Sequence, residues 1–329
     1  MHGYPKIEMN KTLIYILLLV LGILIAYIML GDFFSKDMQK STKNPYAFDI
    51  KEFEHVDPSL IKYKETKRIK LDNPFPKAID YQDGLLGLAF KNKLQVIDTS
   101  GREIFNKTID GPATALHISP DRIYLGCLDH IEIFDLKGNQ LENWDLLDSG
   151  AYITSIALKE DKLFVANAGE PEVIRYNLNG DIEIRFDGTK REFSDFGFIV
   201  PSPYFDVHID PYNQLWIANT GLQNIQNYTE DGSLRAYWGN AGYKLEDFTG
   251  CCNPAHFTIL SDGSFVTCEK GLVRIKVHKP SGELDCVVAA PKDFDTDSEP
   301  ADLTSDEHDN IYALDITKKM IRKFERLME

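Results

Sequence analysis

The chain has 329 residues, of which 43% are hydrophobic and 26% are charged, and its formal net charge is −15. This composition is typical of a large folded domain and excludes wholesale disorder. An acidic surface repels phosphate backbones. Since the sequence has no stripe of lysine and arginine with interleaved aromatic residues, we expect no nucleic-acid partner.

The first predicted element is an uncharged run near the N terminus. Leu13 to Leu30 reads LIYILLLVLGILIAYIML, and its eighteen residues suffice to cross a bilayer with some help from the flanks. A cleaved signal peptide is the alternative, but its apolar core is normally shorter and ends in a small-x-small site, which this run lacks. We therefore expect a short head (residues 1–12), a transmembrane anchor (13–30) and a polar tether (31–58). The short head and the long C-terminal domain favour a single-pass signal-anchor in the cell membrane, with the folded domain on the extracytoplasmic side, which is the periplasm in a bacterium.

A sequence motif that recurs after the tether predicts the fold of the remaining chain. Each copy is an apolar strand followed by a glycine turn, as in LQVIDTSG, IEIFDLKG, VIRYNLNG, IQNYTEDG and VRIKVHKPSG. The glycines that end these copies lie 37, 42, 52 and 50 residues apart, at Gly101, Gly138, Gly180, Gly232 and Gly282. A unit of this size holds four short strands and cannot bury its own faces alone, so repetition on this scale indicates radial stacking into a propeller.

Six such units account for the rest of the sequence. The predicted inner strands carry the segments AIDY, ATALHIS, ITSIAL, YFDVHID, AHFTIL and ADLTS, with the alternation of apolar and polar residues that strands show. The sixth unit stops at its third strand, near Phe324, so the ring needs one more strand. We predict an all-β fold, a six-bladed β-propeller over residues 59–329, in which residues 61–71 complete the last blade and protect its edge.

Two stretches of the predicted propeller resemble NHL repeats. Trp238 to Val277, WGNAGYKLEDFTGCCNPAHFTILSDGSFVTCEKGLVRIKV, has a Trp-Gly opening, Asn-Pro before the inner strand and Asp-Gly before the second strand. Ser202 to Tyr228, SPYFDVHIDPYNQLWIANTGLQNIQNY, matches the same pattern, and the first three units resemble it more loosely. The resemblance implies a six-bladed propeller. It implies no single activity, because NHL-like proteins are mostly interaction domains with scattered enzymes.

Polar residues at the ends of the second strands predict a ligand-binding face, because loops on a rigid scaffold are where binding residues concentrate. The residues of this predicted face are Asn167, Asn219, Glu269 and Asp315, with Cys127 in the corresponding position of the second unit. The structural alternative is that each of these side chains caps the turn to the third strand, as Asx-type side chains do.

The adjacent pair Cys251-Cys252 is the least ordinary element of the sequence. Antiparallel pairing brings Cys268 near Cys252, and a disulfide forms when the two Cα atoms lie within about 7 Å. The three cysteines together with His256 could instead hold a metal ion, since sulfur and imidazole are its usual ligands, although no known metal signature matches their spacing. A structural disulfide, buried thiols, a metal site and redox chemistry all remain open.

Three histidines, His117, His208 and His256, lie in or beside inner strands and therefore point to the central channel or its mouth. They could share a divalent metal ion, as in lyases of related architecture, but a single inner-strand histidine is more often a hydrogen-bonded packing residue. Asp206 and Asp302 add oxygen atoms that suit a calcium-like ion. The cofactor is therefore unknown, with a divalent metal as the one candidate.

The sequence favours a binding function over an enzymatic one. It contains no Ser/His/Asp elbow, no phosphate-cradling glycine loop and no dinucleotide fingerprint. Our leading hypothesis is a membrane-anchored, extracytoplasmic propeller that binds a protein partner or a small ligand. The alternatives are a metal-dependent hydrolase or lyase with its site at the channel, and a redox accessory protein that works through the cysteines.

Overall fold

The computed structural model describes residues 11–35, 53–189, 197–295 and 297–327. The chain divides into two compact units, residues 1–49 and 50–329. The first unit contains helix α1 (Lys11–Ser35), which is 25 residues long and rich in leucine, a strong helix former. Among the described residues, no helix has an apolar stretch of the length that a membrane crossing requires. The head up to residue 10 and the tether from 36 to 52 lie outside the described residues.

The second unit consists of six four-stranded antiparallel sheets in the part of the chain that is described, as predicted for a six-bladed propeller. Strand β1 (Tyr63–Lys70) precedes blade 1, which is formed by β2 (Pro76–Gln82), β3 (Leu85–Phe90), β4 (Lys93–Asp98) and β5 (Glu103–Thr108). Blade 2 has β6 (Ala115–Ile118), β7 (Arg122–Cys127), β8 (His130–Asp135) and β9 (Gln140–Asn143). Blade 3 has β10 (Ile153–Lys159), β11 (Lys162–Asn167), β12 (Glu172–Asn177) and β13 (Ile182–Phe186).

The remaining three blades complete the ring. Blade 4 has β14 (Val207–Ile209), β15 (Leu215–Asn219), β16 (Asn224–Tyr228) and β17 (Leu234–Trp238). Blade 5 has β18 (His256–Ile259), β19 (Phe265–Cys268), β20 (Ile275–His278) and β21 (Leu284–Ala289), and blade 6 has β22 (Asp302–Ser305), β23 (Ile311–Asp315) and β24 (Met320–Arg326). Single 3-10 turns occupy Pro58–Leu60, Thr220–Leu222 and Pro291–Asp293.

The outermost strand of blade 6 comes from the beginning of the domain. The strand order of this sheet is β1-β24-β23-β22, and β1 pairs antiparallel with β24 from Tyr63 opposite Arg326 to Lys70 opposite Met320. Across this pair, the Arg322 guanidinium lies 2.9 Å from the Glu65 carboxylate, and the Arg322 side chain is only 3% exposed. The two ends of the domain are therefore joined by a sheet and by a largely buried ion pair.

The recurring glycines have a common structural reason. Gly180, with φ +88°, forms the turn between the last two strands of blade 3, and a Cβ atom on it would lie 2.8 Å from the Trp144 ring of blade 2. Only glycine tolerates both this φ and this close approach. Gly101 of blade 1, with φ +95°, meets Ile69 of β1 in the same manner, at 3.1 Å. Strand β1, the outermost strand of blade 6, thus packs against blade 1 in the way that the outer part of blade 2 packs against blade 3.

Apolar side chains fill the space between neighbouring blades. Between blades 6 and 1, for example, Leu86 and Leu88 pack with Tyr312 and Leu314. Each blade buries one face against the preceding blade and the other against the following one, so all the central strands are rich in apolar residues. This leaves the polar residues of the inner strands to line the axis.

Candidate site at the channel mouth

The inner strands of the six blades surround a central channel with a cavity of about 210 Å³. Its lining is polar at positions where an inner strand turns a side chain toward the axis, and includes Asp80, His117, Thr154, Asp206, His208 and Asp302. A strand alternates its two faces, so these side chains face the axis while their neighbours pack between blades.

Three aspartates of the channel each connect their own blade to the next one. The Asp80 carboxylate accepts a hydrogen bond from the N–H of Ile118 in blade 2, at 3.0 Å. Asp206 accepts from the N–H of Phe257 in blade 5 at 3.2 Å, and Asp302 accepts from the N–H of Ile79 in blade 1 at 2.8 Å. A carboxylate that receives backbone N–H groups tolerates burial, because such bonds favour its charged form. These aspartates therefore hold the ring together as well as lining it.

Asp206, His256 and Asp302 converge at the mouth of the channel, where β18 and β22 begin. His256 Nδ1 lies 3.1 Å from an Asp206 carboxylate oxygen and 3.5 Å from an Asp302 oxygen. One potential ligand atom from each residue lies within 4.8 Å of the other two, a grouping that could hold a metal ion. All three side chains are largely buried, with exposed fractions of 4%, 12% and 15%. We call these three residues the channel-mouth cluster.

Two groups of the channel-mouth cluster, His256 and Asp302, have shifted pKa values. Burial disfavours a charged imidazole, but the carboxylates of Asp206 and Asp302 outweigh it and raise the pKa of His256 to about 9. Burial also raises the pKa of Asp302 to about 7, and the nearby Asp206 charge adds to this effect while His256 opposes it. The cluster can therefore gain or lose a proton near neutral pH, a property that is enriched at functional sites.

Aromatic and cationic side chains form the rim around the channel-mouth cluster. The Tyr204 ring meets the His256 ring edge-on, with centroids 5.4 Å apart, and Lys270 Nζ lies 5.3 Å from the Tyr204 centroid. Burial, assisted by the charge of Glu299, raises the pKa of Tyr204 to about 12. Tyr204 therefore stays a neutral hydrogen-bond donor at the mouth of the channel.

The other two channel histidines do not join this cluster. His117 Nδ1 lies 2.9 Å from a carboxylate oxygen of Asp80, in a separate contact; burial opposes ionisation of Asp80, but the interaction with His117 outweighs it and lowers the pKa of the carboxyl. His208 stacks edge-on against Phe257, with ring centroids 4.6 Å apart, and burial lowers its pKa. The channel thus brings His256 together with two carboxylates, rather than three histidines around one ion.

The four residues of the predicted ligand-binding face are buried. Asn167, Asn219, Glu269 and Asp315 have exposed fractions of 2%, 0%, 0% and 3%. Asn167 Oδ1 accepts from the backbone N–H groups of Tyr152 and Gly169, and Asp315 accepts from the N–H of Lys318. Asn167 and Asp315 therefore close turns of the fold, and the residues that line the channel are different ones.

Asn219 and Glu269 bond to loops that precede their blades in the sequence. Asn219 Oδ1 accepts from the N–H of Ile199 at 3.0 Å, and Glu269 accepts from both the N–H and the hydroxyl of Thr249 at 3.0 Å. Glu269 also contacts Arg274 inside blade 5. These bonds fasten the long loops that enter blades 4 and 5.

All five cysteines are free thiols, so no disulfide joins Cys252 to Cys268. Cys268 is fully buried, where its sulfur accepts the N–H of Ala301 at 3.2 Å and burial raises its pKa. Cys252 is 2% exposed and has φ +69°, whereas Cys251 is exposed. Burial raises the pKa of Cys252 as well. The buried thiols are therefore poor nucleophiles, because the thiolate is the reactive form.

Sequence reasoning named Asp206 and Asp302 as sources of oxygen atoms but did not place them around His256. Asp80 was missed, although AIDY, YFDVHID and ADLTS each put an aspartate in or beside an inner strand. This repetition of one residue type at the axis was the available signal.

Comparisons with known proteins agree with the fold. A family profile described as "Family of unknown function (DUF5711)" matches residues 58–176. A search of curated proteins gives no match. A streptogramin B lyase structure is similar over 82% of this chain and 100% of that one, with 15% identity and a TM-score of 0.58.

Two further solved structures share the architecture. A catalytically inactive virginiamycin B lyase from Staphylococcus aureus with quinupristin is similar over 81% of this chain and 100% of its own, with 16% identity and a TM-score of 0.57. The WD40 β-propeller domain of Doa1 is similar over 77% of this chain and 79% of its own, with 12% identity and a TM-score of 0.53. At these identities the likeness shows the propeller fold alone.

Proposed function

We propose that this protein is a membrane-anchored, extracytoplasmic binding module whose ligand site is the mouth of the propeller channel. The observation that carries the proposal is the channel-mouth cluster, in which Asp206, His256 and Asp302 bring potential ligand atoms within 4.8 Å of one another. A buried group of two carboxylates and one imidazole beside an open channel is unusual for side chains that serve packing alone.

A divalent cation fits the chemistry of the channel-mouth cluster. Two carboxylates and a neutral imidazole supply oxygen and nitrogen ligands, which suit ions such as Mn²⁺. Binding would displace the proton that His256 holds between Asp206 and Asp302. A cation held by three side chains would keep coordination positions that face the channel. A carboxylate or another anionic group of a small ligand or of a partner protein could occupy them, with Tyr204 and Lys270 at the rim.

The membrane location is a separate part of the proposal. It is supported by the uncharged run from Leu13 to Leu30, the short segment before it and the long domain after it. The resemblance to NHL repeats supports a binding role, since such propellers mostly serve as interaction domains. Fusions of alkaline phosphatase and of a fluorescent protein to the C terminus test the orientation. We expect phosphatase activity with a dark fluorescent fusion, and the reverse pattern would contradict an extracytoplasmic propeller.

Metal-dependent hydrolase or lyase activity at the same cluster is the second candidate. The observation that favours it is the pairing of Asp302, with a pKa of about 7, and His256, with a pKa of about 9, as a potential acid and base. Two of the structures that share the fold are named as a streptogramin B lyase and a virginiamycin B lyase. The redox alternative has less support, since it depends on Cys251 and Cys252 while Cys268 is sealed in the core.

Metal binding by the full-length protein in detergent tests the proposed site. Isothermal titration calorimetry with Mn²⁺ should show one ion bound per chain at the channel-mouth cluster. Loss of even an outer-shell partner of a metal ligand costs about 10–100-fold in affinity, so we expect Asp206→Asn to weaken binding by at least about tenfold. Asn keeps an oxygen that can accept the Phe257 N–H, so the blades stay connected.

The matched control is Asp80→Asn. Asp80 is another channel aspartate that bonds to the next blade, but it lies outside the channel-mouth cluster. We expect this variant to bind Mn²⁺ like the unchanged protein. Absence of binding, or an equal loss in both variants, would overturn the site. Metal-dependent turnover of esters or lactones that disappears in Asp302→Asn would favour the enzyme over the binding module.

A further inference from the structure

Blade 2 contains a second group of potential metal ligands, formed by the hairpin of β7 and β8. Cys127 ends β7 and pairs directly with His130, the first residue of β8. His130 and Glu132 are two residues apart on one strand and therefore point to the same side. A two-residue turn across Cys-x-x-His-x-Glu thus collects a sulfur, a nitrogen and an oxygen on one face of the hairpin. We call these three residues the hairpin cluster.

The ligand atoms of the hairpin cluster are close and shielded. One from each residue lies within 4.8 Å of the other two, and His130 Nε2 lies 3.6 Å from a Glu132 oxygen. Cys127 is 1% exposed, and the side chains of Glu132 and His130 are 8% and 15% exposed. A buried carboxylate beside a thiol gains most from a cation placed between them, because an unpaired buried charge is costly.

Asp129 orients the histidine of the hairpin cluster. Its carboxylate lies 2.9 Å from His130 Nδ1, and because a carboxylate can only accept, this nitrogen carries the hydrogen and donates a hydrogen bond to Asp129. The lone pair of Nε2 then faces Glu132 and the interior of the cluster. The same arrangement of carboxylate, histidine and ion holds the imidazole of many zinc sites, where the outer carboxylate fixes the tautomer and increases the basicity of the ligand.

The hairpin cluster faces a cavity of about 540 Å³ that shares no lining residue with the central channel. The loop before blade 2 forms one wall of this cavity, and a Cβ on its Gly111 would lie 3.5 Å from Cys127 Cβ and 3.7 Å from His130 Cε1. The loop therefore packs over the cluster at ordinary van der Waals distance. The cavity leaves room for a water molecule as a fourth ligand.

We propose that Cys127, His130 and Glu132 form a zinc site that is separate from the channel-mouth cluster. One thiolate, one imidazole and one carboxylate select zinc or a related transition metal over calcium or magnesium, because the hard cations do not favour sulfur. Three protein ligands with a solvent-facing fourth position form a tetrahedral site that remains open to a small molecule. The site does not depend on the proposed function of the channel.

Cobalt substitution of the full-length protein tests the hairpin cluster through a signal that only sulfur ligands give. Co²⁺ bound to the thiolate of Cys127 should produce a sulfur-to-cobalt charge-transfer band in the near ultraviolet, and Zn²⁺ should abolish it. Cobalt at the channel-mouth cluster would produce no such band, because its three residues contain no sulfur. We expect Cys127→Ser to lose the band and Cys286→Ser, a buried thiol of blade 5, to retain it.

A second variant keeps the test decisive if Cys127→Ser folds poorly. Asp129 is 40% exposed and is not a ligand, so Asp129→Asn should fold normally. We expect it to weaken Zn²⁺ binding by about 10–100-fold, as loss of an outer-shell carboxylate does. No charge-transfer band in the unchanged protein, a band that survives in folded Cys127→Ser, or unchanged Zn²⁺ affinity in Asp129→Asn would each overturn the proposal.

Discussion

Removal of one buried charge in blade 5 should destabilise the whole propeller. Glu269 is fully buried, and its carboxylate lies 2.6 Å from Arg274 Nε and 2.8 Å from Lys276 Nζ, both of which are also buried. The two cations in turn donate hydrogen bonds to backbone carbonyls of the loop that enters the blade, including those of Lys244 and Asp247. Glu269→Gln would leave two buried cations without their anion.

The expected loss follows from these contacts. Hydrogen bonds to charged groups contribute about 1.5–3 kcal/mol each, and breaking one side of a buried ion pair costs about 3–5 kcal/mol. The amide oxygen of the introduced glutamine can still accept from Thr249, so the change isolates the charge. We expect the free energy of unfolding to fall by about 3–5 kcal/mol, a large part of the roughly 5–15 kcal/mol that stabilises a typical domain.

Guanidinium denaturation followed by tryptophan fluorescence measures this loss. The control is Glu283→Gln in the same blade, because the Glu283 carboxylate pairs with Lys279 at 3.1 Å while both side chains are largely exposed. An exposed ion pair contributes about 0–1 kcal/mol, so the control should unfold like the unchanged protein. If Glu269→Gln also loses less than about 1 kcal/mol, the idea that this network stabilises the blade is refuted.

Two further predictions concern the pH dependence of stability. Burial opposes ionisation of Glu65, but the hydrogen bonds from Arg68 and Arg322 dominate and lower its pKa from 4.5 to about 2. The contribution of this carboxylate to stability is therefore complete above pH 4.5 and is lost as the pH falls through about 2. Glu65→Gln should flatten this part of the plot of melting temperature against pH, and an unchanged acid profile would contradict the prediction. Burial raises the pKa of Tyr63 and Tyr176 from 10.0 to about 12. The contribution of these neutral side chains to stability is therefore complete below pH 10 and is lost as the pH rises through about 12. Tyrosinate absorbance should lag behind a denatured control over this range, and complete ionisation at pH 10 in the folded protein would contradict the burial.

Much of the fold can be predicted from the sequence because its repeat has a local cause. Glycine is required where a turn with positive φ meets an aromatic or aliphatic side chain of the preceding blade, as at Gly180 beside Trp144. The spacing of such glycines therefore indicates the number of blades, and the six sheets confirm it. The pairing of β1 with β24 is harder to predict, because two segments at opposite ends of the domain form it.

The site was less predictable, because it depends on how the blades are arranged around the axis. Asp206, His256 and Asp302 come from three blades, and their convergence follows from the radial positions of the inner strands. Conversely, Asn167 and Glu269 occur where a binding face was expected, yet local turns and loops use their hydrogen bonds. Strand order alone does not show which polar side chains already hydrogen-bond within the fold and are therefore not free to bind a ligand.

Anomalous diffraction from crystals of the protein soaked in Mn²⁺ tests the central claim most directly. We predict a manganese peak between the carboxylates of Asp206 and Asp302 and the imidazole of His256, and no peak there in crystals of Asp206→Asn. A channel mouth without a peak in the unchanged protein, at a Mn²⁺ concentration that saturates binding in solution, would contradict the assignment of this cluster as the ligand site.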